Sequence, residues 1–268
     1  MPIAAIVLAL ACALAPSAGS TADLGDATTA TAAATTLIVL AAANTTDPLN
    51  DVIGVFERDH PGVLVIPEYA GTGVLATQAE HGAPFDAFVS ADRAHVDSLA
   101  REGLIESAVA LSAGHEVIVV PKDNPAGIRS LRDLAGANAK LVLGADTVPI
   151  GTYSRQVLSK ASAEYGADFS ARVLGHVVSF ETNVKQVLEK VALGEADGGI
   201  VYFTDVTAKY RDHVTVVGIP QRFEVRAVNY IAVGAYSGHQ DLARAFVLAA
   251  TGQSGQSIFR RHGYDPTR

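Results

Sequence analysis

Four short segments of this chain combine residue types that can hold an anion without any formal charge. They are Ala42-Ala43-Asn44-Thr45-Thr46, Gly71-Thr72-Gly73, Val148-Pro149-Ile150-Gly151-Thr152 and Glu181-Thr182-Asn183-Val184. Each stands where an apolar run gives way to helical spacing, so each reads as a strand-to-helix junction. The first N–H groups of a helix have no intrahelical acceptor, and the aligned peptide dipoles put partial positive charge there. An oxyanion suits such an end. None of the four carries Lys or Arg at its centre, so a ligand would be held by neutral dipoles. One junction alone is more simply an ordinary helix cap. Four at corresponding points of a repeated pattern point beyond capping.

The elements that must position them alternate strand and helix. Leu37-Ile38-Val39-Leu40 is apolar without alternation, as a strand buried on both faces should be. Asp47 then serves as N-cap with Pro48 at the first helical position, and Leu49, Val52, Ile53 and Phe56 recur at helical spacing until Pro61-Gly62. A strand over 63–67, a helix over 74–80 and a strand over 85–89 complete β-α-β-α-β. A second unit runs through strands over 115–121 and 140–144, a short helix over 131–134, a helix over 151–163, a strand over 172–178, a helix over 183–193 and a strand over 199–202. A late strand over 228–235 and helices over 240–250 and 255–262 close the chain. The expectation is an α/β protein of two lobes, each a mostly parallel or mixed sheet flanked by helices. Residues 36–115 with 228–268 form lobe I, and 116–227 form lobe II. Strand ends and helix N-termini of both then face one cleft, with candidate hinges near His115–Val119 and Val228–Val233.

The chain has 268 residues and a net charge of −8, from 20 basic and 28 acidic residues. With no basic block, nucleic acid and anionic lipid are poor partners. Residues 1–19 read as a signal peptide or lipoprotein leader, because the apolar run Ile3 to Leu14 is too short for a membrane span. Cys12, the only cysteine, is the candidate lipid acceptor. Cleavage after the small residues Ser17-Ala18-Gly19 is the soluble alternative. Residues 20–35 read as a flexible linker.

Enzymatic readings are weaker. Gly71-x-Gly73-x-x-Ala76, with Asp92 further on, imitates a dinucleotide fingerprint but follows the second strand rather than the first. There is no Gly-x-Ser-x-Gly elbow, and the eight histidines form no metal-ligand spacing. Asp86 and Asp92 could be acid/base carboxylates, but at strand ends such groups more often cap or pair.

Four motifs together go further: Ala41-Ala42-Ala43-Asn44, Gly82-Ala83-Pro84-Phe85-Asp86-Ala87-Phe88-Val89-Ser90-Ala91-Asp92, Val148-Pro149-Ile150-Gly151-Thr152-Tyr153, and Gly194-Glu195-Ala196-Asp197-Gly198-Gly199-Ile200-Val201-Tyr202. On these the chain resembles, over nearly all of residues 36–268, the periplasmic molybdate-binding proteins of ABC transporters. The resemblance implies a two-lobed, type II-like periplasmic-binding-protein fold with the ligand between the lobes. It also implies a monomeric receptor that captures molybdate or tungstate, needs no cofactor, catalyses nothing and delivers the oxyanion to a membrane permease. A receptor for sulfate or another anion on the same fold is the alternative. The family's ligand contacts fall on Asn44 and Thr72, each in place of a serine, on the backbone N–H groups of Ile150 and Val184, and on the hydroxyl of Tyr202. The two side-chain departures are mild, since Thr keeps the hydroxyl and Asn keeps an N–H donor.

Overall fold

The computed structural model describes residues 35–136 and 139–267. The expected leader, Cys12 and the linker up to residue 34 lie outside the described residues. Strand β1 (Thr35–Ala42) takes in the linker's last position. It pairs in parallel with β2 (Val63–Ala70) on one side and β3 (Ala87–Ser90) on the other. The late strand β10 (Ala227–Val233) enters antiparallel between β3 and β4 (Val109–Gly114). The sheet order is β2-β1-β3-β10-β4.

The second sheet repeats this plan. Strand β6 (Leu141–Gly144) pairs in parallel with β7 (Val177–Glu181) and β8 (Gly198–Tyr202), and β5 (Glu116–Pro121) lies antiparallel between β8 and β9 (Val214–Gly218). The order is β7-β6-β8-β5-β9. Both sheets are mixed α/β layers, with parallel strands at one side and an antiparallel pair at the other. The chain passes between them at His115, and again between β9 and β10.

Apolar periodicity accounts for the flanking helices. Helix α1 (Thr46–Asp59) buries Leu49, Val52, Ile53 and Phe56 against β1 and the helices α7 (Gln240–Thr251) and α8 (Gln253–Arg261). Helix α2 (Thr72–Glu80) and helix α3 (Arg93–Arg101) cover the other face with Leu75, Val96 and Leu99. In the second lobe, α4 (Pro149–Tyr165), α5 (Phe169–Gly175) and α6 (Val184–Ala192) enclose a single cluster that includes Val157, Phe169, Val187 and Ile200.

Several elements depart from the sequence reading. Asp47 does not cap α1. A 3-10 turn over Ala43–Thr45 precedes the helix, Thr45 is the N-cap, and Asp47 sits in the first turn. The strand expected over 172–178 is instead the end of α5 followed by β7, because Phe169 and Val173, four apart, bury one helical face. Helix α3 and strands β4 and β9 had no counterpart in that reading.

One buried group carries a penalty. Glu116, at the crossover into β5, is 0% exposed, and neither of its carboxylate oxygens completes a hydrogen bond with any described residue. Burial pushes its carboxyl up from 4.5 to about 7, and the nearby N–H groups of Glu116 and Val225 counter this only in part. The folded protein therefore binds this proton more tightly than the unfolded chain, so stability is lost as pH rises from about 4.5 through 7. The full loss is roughly 3 kcal/mol. Glu116→Gln is expected to raise the melting temperature at pH 8 by several degrees, with the gain shrinking towards pH 4.5. Thermal melts of both proteins across that range check it, and a gain independent of pH would contradict it.

Candidate anion-binding site

In open α/β sheets, ligands sit beyond the carboxyl ends of the parallel strands. Here those ends come from both lobes. Strand β1 leads into Asn44, β2 into Thr72 and β3 into Ala91, while β6 leads into Ile150, β7 into Val184, and β8 ends on Tyr202. All six residues line one cavity. It measures about 20 Å³, where a single ordered water requires roughly 10–15 Å³ on the same measure. There is room for one compact ion and none for a dinucleotide, which removes the fingerprint reading of Gly71-x-Gly73.

The donors are arranged as helix geometry requires. In α4, Val148 is the N-cap without a side-chain cap bond, and Pro149 has no N–H to offer. The amides of Ile150 and Gly151 then lack intrahelical acceptors. In α6, the Asn183 side chain caps by accepting from Gln186 N–H at 3.1 Å, which satisfies the third amide and leaves that of Val184 open. Thr72 opens α2, and its Oγ1 accepts from Ala91 N–H at 3.1 Å, so its own hydroxyl hydrogen is free to donate elsewhere. The Tyr202 hydroxyl, on a side chain 3% exposed, has no hydrogen-bond partner among the described residues. Burial pushes its pKa well above the ordinary value, so it stays a neutral O–H donor.

Asn44 lies in the 3-10 turn ahead of α1 and caps neither element with its side chain. Its Nδ2 donates to Asn229 Oδ1 at 2.9 Å, and its Oδ1 is buried without a partner among the described residues. Tyr264, near the C-terminus, donates its hydroxyl to the Asn44 carbonyl. The nearest cation to this set in sequence, Lys185, pairs with the fully buried Asp205 at 3.2 Å. Asp86 and Asp92 are structural: Asp86 accepts from Ile38 N–H and from the Ser237 hydroxyl, and Asp92 caps α3 by accepting from His95 N–H.

The lobes meet around the cavity. Tyr153, which packs edge-on against Tyr202, donates across the seam to the Ala91 carbonyl at 3.3 Å. A Cβ on Gly71 would overlap the Thr182 carbonyl, and one on Gly73 would come within 2.5 Å of the Thr147 carbonyl. Only glycine lets the start of α2 seat against the opposite lobe. Sequence reasoning brought out the five resemblance positions but not Asn229, Ala91's acceptor role or the cross-seam glycine contacts. Of these, Ala91 and Gly71 stood in segments already singled out, while nothing around Asn229 marked it.

The two mixed sheets and the neutral pocket between them define a solute-binding protein. The chain belongs to the bacterial extracellular solute-binding protein family, whose model matches residues 37–265. Among its relatives, the molybdate-binding protein ModA of Mycobacterium tuberculosis is 34% identical over 242 residues, covering 87% of this chain and 86% of that protein. Among solved structures, the periplasmic molybdate-binding protein of Azotobacter vinelandii superposes with a TM-score of 0.74 at 21% identity, over 87% of this chain and 100% of that one. The sulfate-binding protein SubI of M. tuberculosis superposes with a TM-score of 0.79 at 20% identity, over 87% of each chain.

Proposed function

We propose that this protein is an extracytoplasmic receptor for a tetrahedral metal oxyanion, molybdate or tungstate, which it hands to the permease of an ABC importer. The observation that carries the reading is the convergence of neutral donors on a cavity of single-ion size. The Asn44 amide, the Thr72 hydroxyl, the Ile150 and Val184 N–H groups and the Tyr202 hydroxyl hold the anion. The relative named for molybdate binding, at 34% identity, supports the choice of ligand.

The selectivity follows from hydrogen-bond chemistry. A fully deprotonated dianion presents only acceptors, and a dry pocket of donors satisfies every one of them. Phosphate near neutral pH keeps an O–H that would meet no acceptor there, and an unpaired buried polar group is costly. Sulfate is also a dianion that presents only acceptors, so in this reading its smaller size alone tells it apart. The protein acts as a monomeric receptor rather than an enzyme, with no cofactor. Its leader exports it, with Cys12 as the point of lipid attachment if it is anchored.

Thermal melting with four anions tests the reading. A ligand bound only by the native state, at about a thousand times its Kd, stabilises by about 4 kcal/mol. For a chain of this size that raises the melting temperature by roughly 8–16 °C. Molybdate or tungstate is expected to give such a shift, and sulfate and phosphate at equal concentration almost none. A sulfate shift as large would make this a sulfate receptor.

The Tyr202 hydroxyl should matter measurably. Tyr202→Phe removes one donor from the anion while keeping the ring packed on Tyr153. Molybdate affinity is expected to fall roughly ten- to a hundredfold, the value of a hydrogen bond to a charged group. Unchanged affinity would place the hydroxyl outside the contact set.

A further inference from the structure

Behind Asn44 the hydrogen bond to Asn229 continues into a buried chain of polar side chains. Asn44 Nδ2 donates to Asn229 Oδ1 at 2.9 Å, and Asn229 Nδ2 donates to Ser112 Oγ at 2.9 Å. Asn229 stands on β10 beside a break in its register with β4, and Ser112 is the residue opposite it on β4. All three are buried, and Asn229 does not itself line the cavity.

The chain can run in two senses. In the sense seen, the Asn44 amide directs a hydrogen to Asn229 and leaves Oδ1 as a buried acceptor without a donor. That is the wrong group to present to an anion and an unsatisfied one in any case. Turning both amides over reverses each bond and loses neither. Asn229 Nδ2 then donates to Asn44 Oδ1, and the Ser112 hydroxyl, which can donate as readily as accept, donates to Asn229 Oδ1. The orphan acceptor disappears, and both N–H bonds of Asn44 are released.

Resting on the oxyanion reading above, we infer that Asn229 and Ser112 are positioning residues: they form a reversible relay that turns the Asn44 amide so that its N–H₂ faces the bound oxyanion. Without an anion, the reversed sense strands two donors. With one, it satisfies every group in the chain. Occupancy of the site therefore selects the reversed sense, and the choice of a side chain with both donor and acceptor at residue 44 makes binding depend on a residue outside the cavity. A serine at that position would need no such support, because a hydroxyl rotates freely.

The experiment is a double-mutant cycle in the whole chain, read by calorimetric titration with molybdate. Asn229→Leu is expected to lower affinity at least about tenfold when residue 44 is Asn, and less than about twofold when the background is Asn44→Ser, whatever affinity that background has. Equal losses in both backgrounds would reduce Asn229 to a structural role and overturn the relay. Ser112→Ala, which removes one oxygen, provides the second cycle should Asn229→Leu fail to fold. NMR of the wild-type side-chain amides gives an independent reading. Saturating molybdate is expected to shift the Asn229 amide signals together with those of Asn44, and a fixed Asn229 signal overturns the proposal. Wild type that ignores molybdate would instead defeat the oxyanion reading, whereas wild type that binds with a flat cycle and a fixed Asn229 defeats the relay alone.

Discussion

Asn44→Asp is expected to abolish oxyanion binding while leaving the ligand-free melting temperature within a few degrees of wild type. The substitution keeps the size of the side chain and replaces a donor by a carboxylate that faces a dianion. At about 4 Å and an effective dielectric near 20, a pair of unit charges interacts by roughly 4 kcal/mol. Against a double charge the repulsion is about twice that, enough to remove more than about a thousandfold in affinity. Stability should survive because the Asn44 side chain caps neither the 3-10 turn nor α1. An acceptor at residue 44 can also still be met by Asn229 Nδ2. Calorimetric titration with molybdate and a melt without it check both halves. Binding by Asn44→Asp at the wild-type level would put residue 44 outside the contact set.

Gly71→Ala is expected to cost at least about a hundredfold in affinity without touching any group that contacts the ligand. The added methyl would overlap the Thr182 carbonyl across the seam, and backbone in a packed turn yields little to such a clash. Because Asn44 and Thr72 lie in one lobe and Ile150, Val184 and Tyr202 in the other, donors that cannot come together cannot share one ion. On the proposed contact set, closing the lobes would contribute to the binding energy. Small-angle scattering is the direct readout. Molybdate is expected to shrink the radius of gyration of the wild type and to leave the Gly71→Ala protein expanded. A variant that binds and contracts like wild type would show that the seam tolerates the methyl.

Much of this architecture was legible in local sequence, and the reasons are physical. The parallel strands β1, β3, β6 and β8 are buried on both faces and read as unbroken apolar runs, so they and the junctions after them could be placed within a few residues. The antiparallel part was harder. Strand β4 exposes Val109 and Ala110 before its buried half, and β9 buries only Val214, so neither presents the unbroken apolar run that marks a buried strand. Arg172-Val173-Leu174 reads as a strand, but Phe169 and Val173, four apart, share the buried face of helix α5. Asn229 could not be found from local pattern at all. It meets Asn44 from 185 positions away and Ser112 from 117, and only the insertion of β10 between β3 and β4 brings them together. The same holds for Gly71, whose need for a missing Cβ arises from Thr182 in the other lobe.

The central claim is selective capture of one metal oxyanion by neutral donors, and competitive calorimetry tests it most directly. Molybdate is titrated into the protein alone and then into protein equilibrated with about a hundredfold excess of sulfate. The expected result is one molybdate per chain in both cases, with affinity changed by less than about threefold by the sulfate. No heat with molybdate or tungstate, or loss of the molybdate signal once sulfate is present, would contradict the account.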